Sequence, residues 1–354
     1  MKFCALLLLA LLVISTSRAD DHAVALIYHH ISDDTPRLTS VSPAVFERHL
    51  RYLDEHNFTI WPLGRILDAL DQGQNLPANT VALTFDDAYL SIYTEAFPRL
   101  RKRNWPFTVF VSSEGIDRNY AGYLNWEQLR ELARAGVEIG NHSHSHAHLL
   151  RRQKGEPTGR WKVRVRTDIQ TAADRIKAET GSASSLFAYP YGEYSHALKA
   201  IVNSLGYRGI AQQSGAIGRH SDFLALPRFP MARGYDDLER FRTAVNSRPL
   251  PVLAATVIGV DEISFRPLQE LQLKLTDGNY RAEHLGCYRA TGTPLKLTTI
   301  TMQPLTLSIA ISGEQTAGRH KINCTAPASD GSGAFYWYSY QWLVKHANGN
   351  WYRE

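Results

Sequence analysis

The segment Val81-Ala82-Leu83-Thr84-Phe85-Asp86-Asp87 is an apolar run that ends in two adjacent carboxylates. A short run of this kind, bounded by polar residues, is typical of a buried strand. Similar runs alternate with amphipathic helical stretches from Ala23 to about Asn246. This alternation predicts parallel strands joined by right-handed helical crossovers. With roughly seven strand–helix repeats, we predict an α/β fold, a deformed (β/α)7-type barrel rather than an open sheet.

The character of the sequence changes near Pro249-Leu250-Pro251. Beyond this point, short alternating runs rich in Thr and broken by Gly and Pro replace the helical patterns. We therefore predict a barrel over residues 20–248 and a small all-β, sandwich-like domain over residues 249–354. The aromatic segment 335–342 either stacks on sugar rings or packs in the core and against the barrel, and we favour the packing interpretation.

The N-terminus has the pattern of an export signal. Met1-Lys2 precedes an apolar run from Phe3 to Ile14, and small residues lead up to Ala19. This pattern predicts a cleavable signal peptide over residues 1–19. The apolar run is shorter than the ~20 residues that a membrane-spanning helix needs. We therefore expect an exported protein, periplasmic or extracellular, with no transmembrane segment after cleavage.

Charge and cysteine content narrow the partners and the compartment. The formal net charge is +5, and loss of Lys2 and Arg18 with the signal peptide lowers it by two. The charge is mild and no long basic block occurs, so we expect no nucleic-acid partner. Cys287 and Cys324 are the cysteines that remain after cleavage. In an exported chain they are predicted to form a disulfide, with two buried thiols as the alternative.

Four predicted strand ends are unusually polar. They are Tyr28-His29-His30, Asp86-Asp87, residues 142–148 with four histidines, and Tyr189-Pro190-Tyr191-Gly192. In parallel barrels, functional side chains gather at the carboxyl ends of strands. A catalytic zinc-type site needs three protein ligands and an open position for water. One carboxylate with His142 and His146 would supply the ligands, and the other carboxylate could act as a base. His144 and His148 are expected to lie outside the coordination sphere.

These motifs resemble those of the NodB-homology polysaccharide deacetylases, carbohydrate esterase family four. Thr84-Phe85-Asp86-Asp87 is similar to the first motif, residues 142–146 to the second, H-[ST]-x-x-H, and residues 187–192 to the third. The resemblance covers about residues 23–245. Within the family the chain looks most similar to the poly-N-acetylglucosamine deacetylases, which carry an early Tyr-His, matched here by Tyr28-His29. The resemblance implies a deformed barrel that hydrolyses N-acetyl groups of amino sugars.

The resemblance also implies a division of roles between the two aspartates. Asp86 would be the general base, and Asp87, His142 and His146 would be the metal ligands. The implied cofactor is a divalent metal, with Zn²⁺ favoured and Co²⁺, Ni²⁺ and Fe²⁺ as alternatives.

The third motif and the first strand would contact the substrate. The resemblance makes the backbone N–H of Tyr191 an oxyanion donor, in a groove lined by Tyr189 and Pro190. It makes His29 the acid that protonates the departing amine. His30 is the competing candidate, although alternation along a continuing strand would turn it to the other face.

Two positions depart from the family pattern. The third motif commonly has an Arg that orients the base, and Ala188 occupies that place. Arg228, in Leu226-Pro227-Arg228-Phe229, is the candidate to supply a guanidinium from another strand. The late Leu-x-x-His motif is also not evident, which is consistent with the acid role of His29.

The sequence thus predicts an exported, metal-dependent hydrolase that removes N-acetyl groups from a GlcNAc-containing polysaccharide and releases acetate. The polymer would be poly-β-1,6-GlcNAc-like or chitin- or peptidoglycan-like. Amidohydrolase-type enzymes also use an H-x-H pair, but theirs follows the first strand. A catalytically inactive, secreted carbohydrate-binding protein on the same barrel is the other alternative. Its expected mark, loss of Asp86 or of a ligand, is not found.

Overall fold

The structure, a computed structural model, describes residues 19–259, 265–311 and 313–353. Apart from Ala19, the predicted signal peptide lies outside these described residues. Within them, no helix has both the length and the apolar character needed to cross a membrane.

The first part of the chain alternates strands and helices, as predicted. Its strands are β1 (Ala19–Asp20), β2 (His22–Tyr28), β3 (His30–Ile31), β4 (Ser40–Val41), β5 (Thr59–Ile60), β6 (Leu76–Pro77), β7 (Thr80–Phe85), β8 (Thr108–Val111), β9 (Glu138–Asn141), β10 (Leu186–Ala188), β11 (Arg208–Ile210), β12 (Ile217–Gly218) and β13 (Phe229–Pro230). Its helices are α1 (Pro43–Glu55), α2 (Leu63–Asp71), α3 (Phe97–Lys102), α4 (Ser113–Asp117), α5 (Trp126–Arg134), α6 (Thr158–Thr180), α7 (His196–Ser204) and α8 (Leu238–Val245).

The central sheet is curled and mainly parallel. Its strand order is β11-β10-β9-β8-β7-β2-β12. On the far side of β2, β13 pairs with β2 in parallel and β12 pairs with it antiparallel. The segment 226–231 connects the two ends of this sheet. The Leu226 N–H donates to the Gly209 carbonyl at 2.8 Å, and the Met231 N–H donates to the Ile27 carbonyl at 2.9 Å. The prediction of a deformed barrel is confirmed, and its strands end together at one rim.

Side chains alternate between the barrel interior and the outer helices. Ala82 of β7 belongs to an interior cluster with Leu226 and with Ile66 of α2. Its neighbour Leu83 belongs to an outer cluster that includes Leu50 of α1. Every residue of β7 is buried. A strand that is covered on both faces needs apolar residues at successive positions, which explains the continuous run in the sequence.

The second part of the chain is all β, as predicted. Its strands are β14 (Arg248–Pro249), β15 (Val252–Ile258), β16 (Glu270–Leu275), β17 (Gly286–Arg289), β18 (Lys296–Met302), β19 (Leu305–Ala310), β20 (Gly318–Pro327) and β21 (Phe335–Val344). They form two four-stranded sheets, ordered β14-β21-β20-β17 and β15-β16-β19-β18. Leu273 and Ile309 of one sheet share a core with Ile322 and Cys324 of the other, which makes this region a sandwich. The domain limits at 248 and 249 remain predictions.

The aromatic segment of β21 is used for packing. Trp337 contacts the barrel core, with its ring centroid 5.4 Å from that of Phe229. Tyr336, Tyr338 and Tyr340 have the opposite parity and pack against the sandwich core. The segment therefore joins the two parts of the chain, in agreement with the packing interpretation.

Cys287 and Cys324 form the predicted disulfide, which links β17 to β20. The bond closes a loop with a sequence separation of 37 residues. A loop of this length restricts the unfolded chain, which stabilises the fold by about 4 kcal/mol.

We expect the double variant Cys287→Ala/Cys324→Ala to lose about this much free energy of unfolding, measured by urea denaturation. Unchanged stability would show that the disulfide does not stabilise the sandwich.

Candidate metal and catalytic site

Strand alternation directs several polar side chains into the barrel at the rim where the strands end. Asp86 has the interior parity of Ala82 and Thr84, and it follows β7 directly. His142 follows β9, and Arg228 has the parity of the interior residue Leu226. Asp86 and Arg228 are fully buried, and His142 is 1% exposed. These polar groups must therefore satisfy one another.

Arg228 and Asp86 form a buried bidentate ion pair. The Arg228 Nη1 and Nη2 atoms donate to the two carboxylate oxygens of Asp86 at 2.7 and 2.8 Å. Arg228 also donates to the Thr84 hydroxyl at 3.0 Å and to the Ala211 carbonyl at 2.9 Å. Burial would raise the pKa of Asp86, but the Arg228 and His142 charges and the Arg228 hydrogen bonds lower it overall. Asp86 is therefore ionised at neutral pH.

The second aspartate faces two imidazoles instead. Asp87 Oδ1 lies 3.2 Å from His142 Nε2 and 3.1 Å from His146 Nε2. One ligand atom from each of the three residues lies within 4.8 Å of the others. Carboxylate oxygen and imidazole nitrogen are the donor atoms that zinc and similar divalent ions take in catalytic sites. The three residues predicted as ligands thus lie together.

Unusual backbone conformations bring these side chains to one point. Asp87 has a φ of 71° and Ala88 a φ of 58°, while Ser143 and His146 have φ values of 68° and 51°. Left-handed conformations at residues other than glycine are unfavourable and often mark functional sites. The turn at Asp87 lets two adjacent carboxylates serve different partners, because regular strand geometry would direct Asp87 toward the outer helices.

The position of the proton on His142 leaves its Nε2 available to bind a cation. Its Nδ1 lies 2.8 Å from the Ala188 carbonyl, an atom that can only accept, so Nδ1 carries the proton. In a neutral ring, Nε2 then directs a lone pair at Asp87 Oδ1. Among the described residues, this buried oxygen has no hydrogen-bond donor. Two facing lone pairs need a proton or a metal ion between them, and the Ala188 contact is the outer support usual for a metal-ligating histidine.

His29 and His30 have different surroundings. Burial lowers the pKa of His29, while the charges of Asp87 and Asp86 oppose this shift, so His29 lies in the electrostatic field of the site. The His30 ring stacks on Tyr89 with centroids 3.6 Å apart, and burial lowers its pKa to about 4. His29 also continues the interior parity of Ala25, which favours it over His30.

The third-motif residues separate into core and groove. The Tyr189 ring is fully buried against the outer helices, and its hydroxyl donates to the Leu224 carbonyl at 2.8 Å. The structure thus places the Tyr189 side chain in the core, because its parity is opposite to that of Ala188, and not in the predicted groove. Pro190 is buried in the turn. The half-buried Tyr191 lies beside the metal ligands, with its ring centroid 4.7 Å from that of His146.

The other two histidines of the segment 142–148 lie outside the ligand set, as expected. His144 Nδ1 lies 2.8 Å from the Ser113 hydroxyl, and His148 Nδ1 lies 3.0 Å from Glu193 Oε2. Gln212, which the sequence reasoning missed, has its Nε2 3.4 Å from Asp86 Oδ2. It follows β11 at the same rim, so the rule that strand ends carry functional residues could have found it.

Comparison with known proteins agrees with this geometry. Residues 73–210 match the sequence model of the polysaccharide deacetylase family. IcaB from Ammonifex degensii is 25% identical, with a TM-score of 0.56, and the match covers 64% of this chain and 97% of that one. The Streptococcus pyogenes deacetylase PplD, solved in complex with acetate, is 21% identical with a TM-score of 0.57, covering 63% and 98%. The fold defines the class of NodB-type curled barrels. The match places a polysaccharide deacetylase domain at residues 73–210.

A curated relative extends the similarity. The Escherichia coli (strain K12) protein named poly-beta-1,6-N-acetyl-D-glucosamine N-deacetylase is 24% identical over 287 residues. The match covers 71% of this chain but 40% of the E. coli protein. The matched region is thus less than half of that relative, so its activity and substrate do not transfer directly.

Metal binding should be linked to proton release. Burial would lower the pKa of His142, but a protonated Nε2 would face Asp87 Oδ1, and this contact together with the charge of Asp86 raises the pKa overall. Below this raised pKa a metal must displace the His142 proton. We expect the apparent metal affinity to fall by about tenfold per pH unit as the pH drops through that pKa. Calorimetric titration with Zn²⁺ in buffers of different ionisation enthalpy measures the released protons, and pH-independent affinity would contradict the assignment.

The buried ion pair should matter for stability. Arg228→Met keeps most of the side-chain volume but leaves the Asp86 carboxylate buried without its partner. We expect a loss of about 3–5 kcal/mol in the free energy of unfolding, measured by urea denaturation. Arg208→Met is the control, because Arg208 pairs with the exposed Asp68, and such pairs contribute about 0–1 kcal/mol. Equal losses in the two variants would contradict the importance of the pair.

Proposed function

We propose that the protein is a metal-dependent N-deacetylase that hydrolyses acetamide groups on a GlcNAc-containing polysaccharide. The observation that carries this proposal is the separation of the two aspartates. Asp87 faces His142 and His146, while Arg228 holds Asp86 apart from that cluster. A hydrolase needs both a ligand set and an independent base, and this rim supplies both. The inactive alternative gains no support, because Asp86 and all three ligands are present and clustered.

A divalent ion held by Asp87, His142 and His146 would supply Lewis-acid chemistry, polarising the acetamide carbonyl and acidifying water. The chain's own groups perform the proton transfers. Asp86 accepts a proton as a water oxygen bonds to the acetamide carbon. Arg228 orients Asp86 through both of its oxygens, which fixes the direction in which the base points.

Two further groups act on the substrate: one stabilises the negative charge that develops on the carbonyl oxygen, and the other protonates the leaving nitrogen. The Tyr191 N–H donates a hydrogen bond to the oxyanion, and such donors contribute about 3 kcal/mol to transition-state stability. His29 protonates the nitrogen as the carbon–nitrogen bond breaks, which releases acetate and a free amine. The lowered pKa of His29 makes its protonated form a stronger acid, although that form is less populated at neutral pH.

The comparisons favour one polymer. The E. coli relative carries the name of a poly-β-1,6-GlcNAc deacetylase. The early Tyr28-His29 pair, with His29 in the field of the two aspartates, agrees with a substrate of this kind. The disulfide between Cys287 and Cys324 supports an exported, oxidising location, where such a polymer would be met.

Acetate release from β-1,6- and β-1,4-linked GlcNAc oligomers by the Zn²⁺-loaded protein tests the function. We expect release from the β-1,6-linked oligomer, and no acetate from any amino sugar despite bound metal would contradict the proposal.

The role of Asp86 is tested with Asp86→Asn. This change keeps the side-chain shape but removes the base, so we expect metal binding to persist and kcat to fall by about 10²–10⁴-fold. The control is Asp222→Asn, which removes an exposed partner of Lys199. Full activity of Asp86→Asn would remove the base assignment.

A further inference from the structure

The loop of residues 190–193 depends on its surroundings for its shape. Tyr191 has a φ of 60° and Gly192 has a φ of 67°. A left-handed conformation is unfavourable for a tyrosine. Within the loop, the Gly192 N–H donates to the Tyr189 carbonyl at 2.8 Å. The Glu193 N–H also donates to the Pro190 carbonyl at 3.2 Å. These two turn bonds leave the carbonyls of Tyr191 and Gly192 to be held by groups outside the loop.

The C-terminal sandwich supplies those groups. Arg319 Nη1 of β20 donates to the Tyr191 carbonyl, and Gln341 Nε2 of β21 donates to the Gly192 carbonyl at 2.8 Å. In the antiparallel register of these strands, Lys321 lies opposite Gln341. Because Arg319 is two residues before Lys321, it shares a face of the sheet with Gln341. Both donors therefore reach the loop from one face of one sheet.

The C-terminal tail holds the end of the same loop. The Tyr352 hydroxyl donates to Glu193 Oε1 at 2.5 Å, and His148 Nδ1 donates to Glu193 Oε2 at 3.0 Å. Glu193 is only 2% exposed, so these bonds, together with the Arg151 guanidinium 3.5 Å from Glu193 Oε1, compensate its buried charge. The His148 ring in turn stacks on the Tyr191 ring with centroids 3.8 Å apart. The tail thus supports Tyr191 through Glu193 and His148.

From these contacts we propose that the C-terminal sandwich is a positioning element of the active site. Arg319, Gln341 and Tyr352 hold the loop in the conformation that presents the Tyr191 N–H, and they do so without touching the substrate. The inference rests on the proposed function for the reaction that the loop serves. The bracing itself is a property of the fold. It gives the second domain a structural role in catalysis, independent of any sugar binding.

We call the contacts of Arg319, Gln341 and Tyr352 with the loop region the brace. The Gln341→Glu variant is its sharpest test. The two side chains have nearly the same size, but the carboxylate repels the Gly192 carbonyl instead of donating to it. We expect kcat to fall by about tenfold because an oxyanion donor is displaced. KM, Zn²⁺ affinity and Tm should stay at their wild-type values. Amide hydrogen exchange, followed by mass spectrometry, should become faster in the peptide that contains residues 190–193.

Arg319 provides a second test at an exposed position of the sandwich. Arg319→Gln shortens the donor, so we expect a lower kcat and faster loop exchange. Arg319→Lys keeps a donor and should lie closer to wild type. Gln272→Glu is the matched control, because the Gln272 amide donates to Glu270 within the other sheet and does not contact the loop.

Measuring both kcat and amide hydrogen exchange distinguishes failure of the brace from failure of the proposed function. Wild-type kcat and unchanged loop exchange in both Gln341→Glu and Arg319→Gln would overturn the brace. A change of the same size in Gln272→Glu would also overturn it, because the effect would then be general. If the wild-type protein releases no acetate, the proposed function fails, and faster loop exchange in the two variants still supports the brace.

Discussion

The buried ion pair between Arg228 and Asp86 is the interaction on which the site depends. Both side chains are fully buried, so each charge is compensated mainly by the other. The pair also joins β7 to the segment 226–231 that links the two ends of the curled sheet. Barrel closure and the orientation of the candidate base therefore rest on the same contact.

This pair also explains how two adjacent aspartates can differ in function. Arg228 occupies both oxygens of Asp86, which keeps that carboxylate away from the imidazoles. The left-handed turn at Asp87 then directs the second carboxylate toward His142 and His146. Ala188 leaves no guanidinium in the third motif, and its backbone carbonyl instead fixes the tautomer of His142. The same position thus serves the ligand set rather than the base.

Local sequence patterns were sufficient to predict the barrel, the sandwich and the disulfide. Hydrophobic periodicity is a property of neighbouring residues, so it can be recognised from the sequence. Two cysteines in a chain with an export signal likewise indicate a disulfide. The prediction that the Tyr189 side chain lines the groove is wrong. Its parity is opposite to that of Ala188, which directs its ring into the core. The sequence named Arg228 as the candidate guanidinium, but its contact with Asp86 spans 142 residues. The contacts of Arg319 and Gln341 cross between domains. Such contacts follow from the assembled fold, which sequence patterns do not reveal.

The central claim is that the two adjacent carboxylates have separate roles, one on the metal and one beside it. A crystal structure of the Zn²⁺-loaded protein, with anomalous data collected at the zinc edge, tests this directly. The account predicts one ion bound by Asp87, His142 and His146, with Asp86 still paired to Arg228 and outside the coordination sphere. Coordination of the ion by Asp86, or its replacement of Asp87 as the carboxylate ligand, would contradict the account.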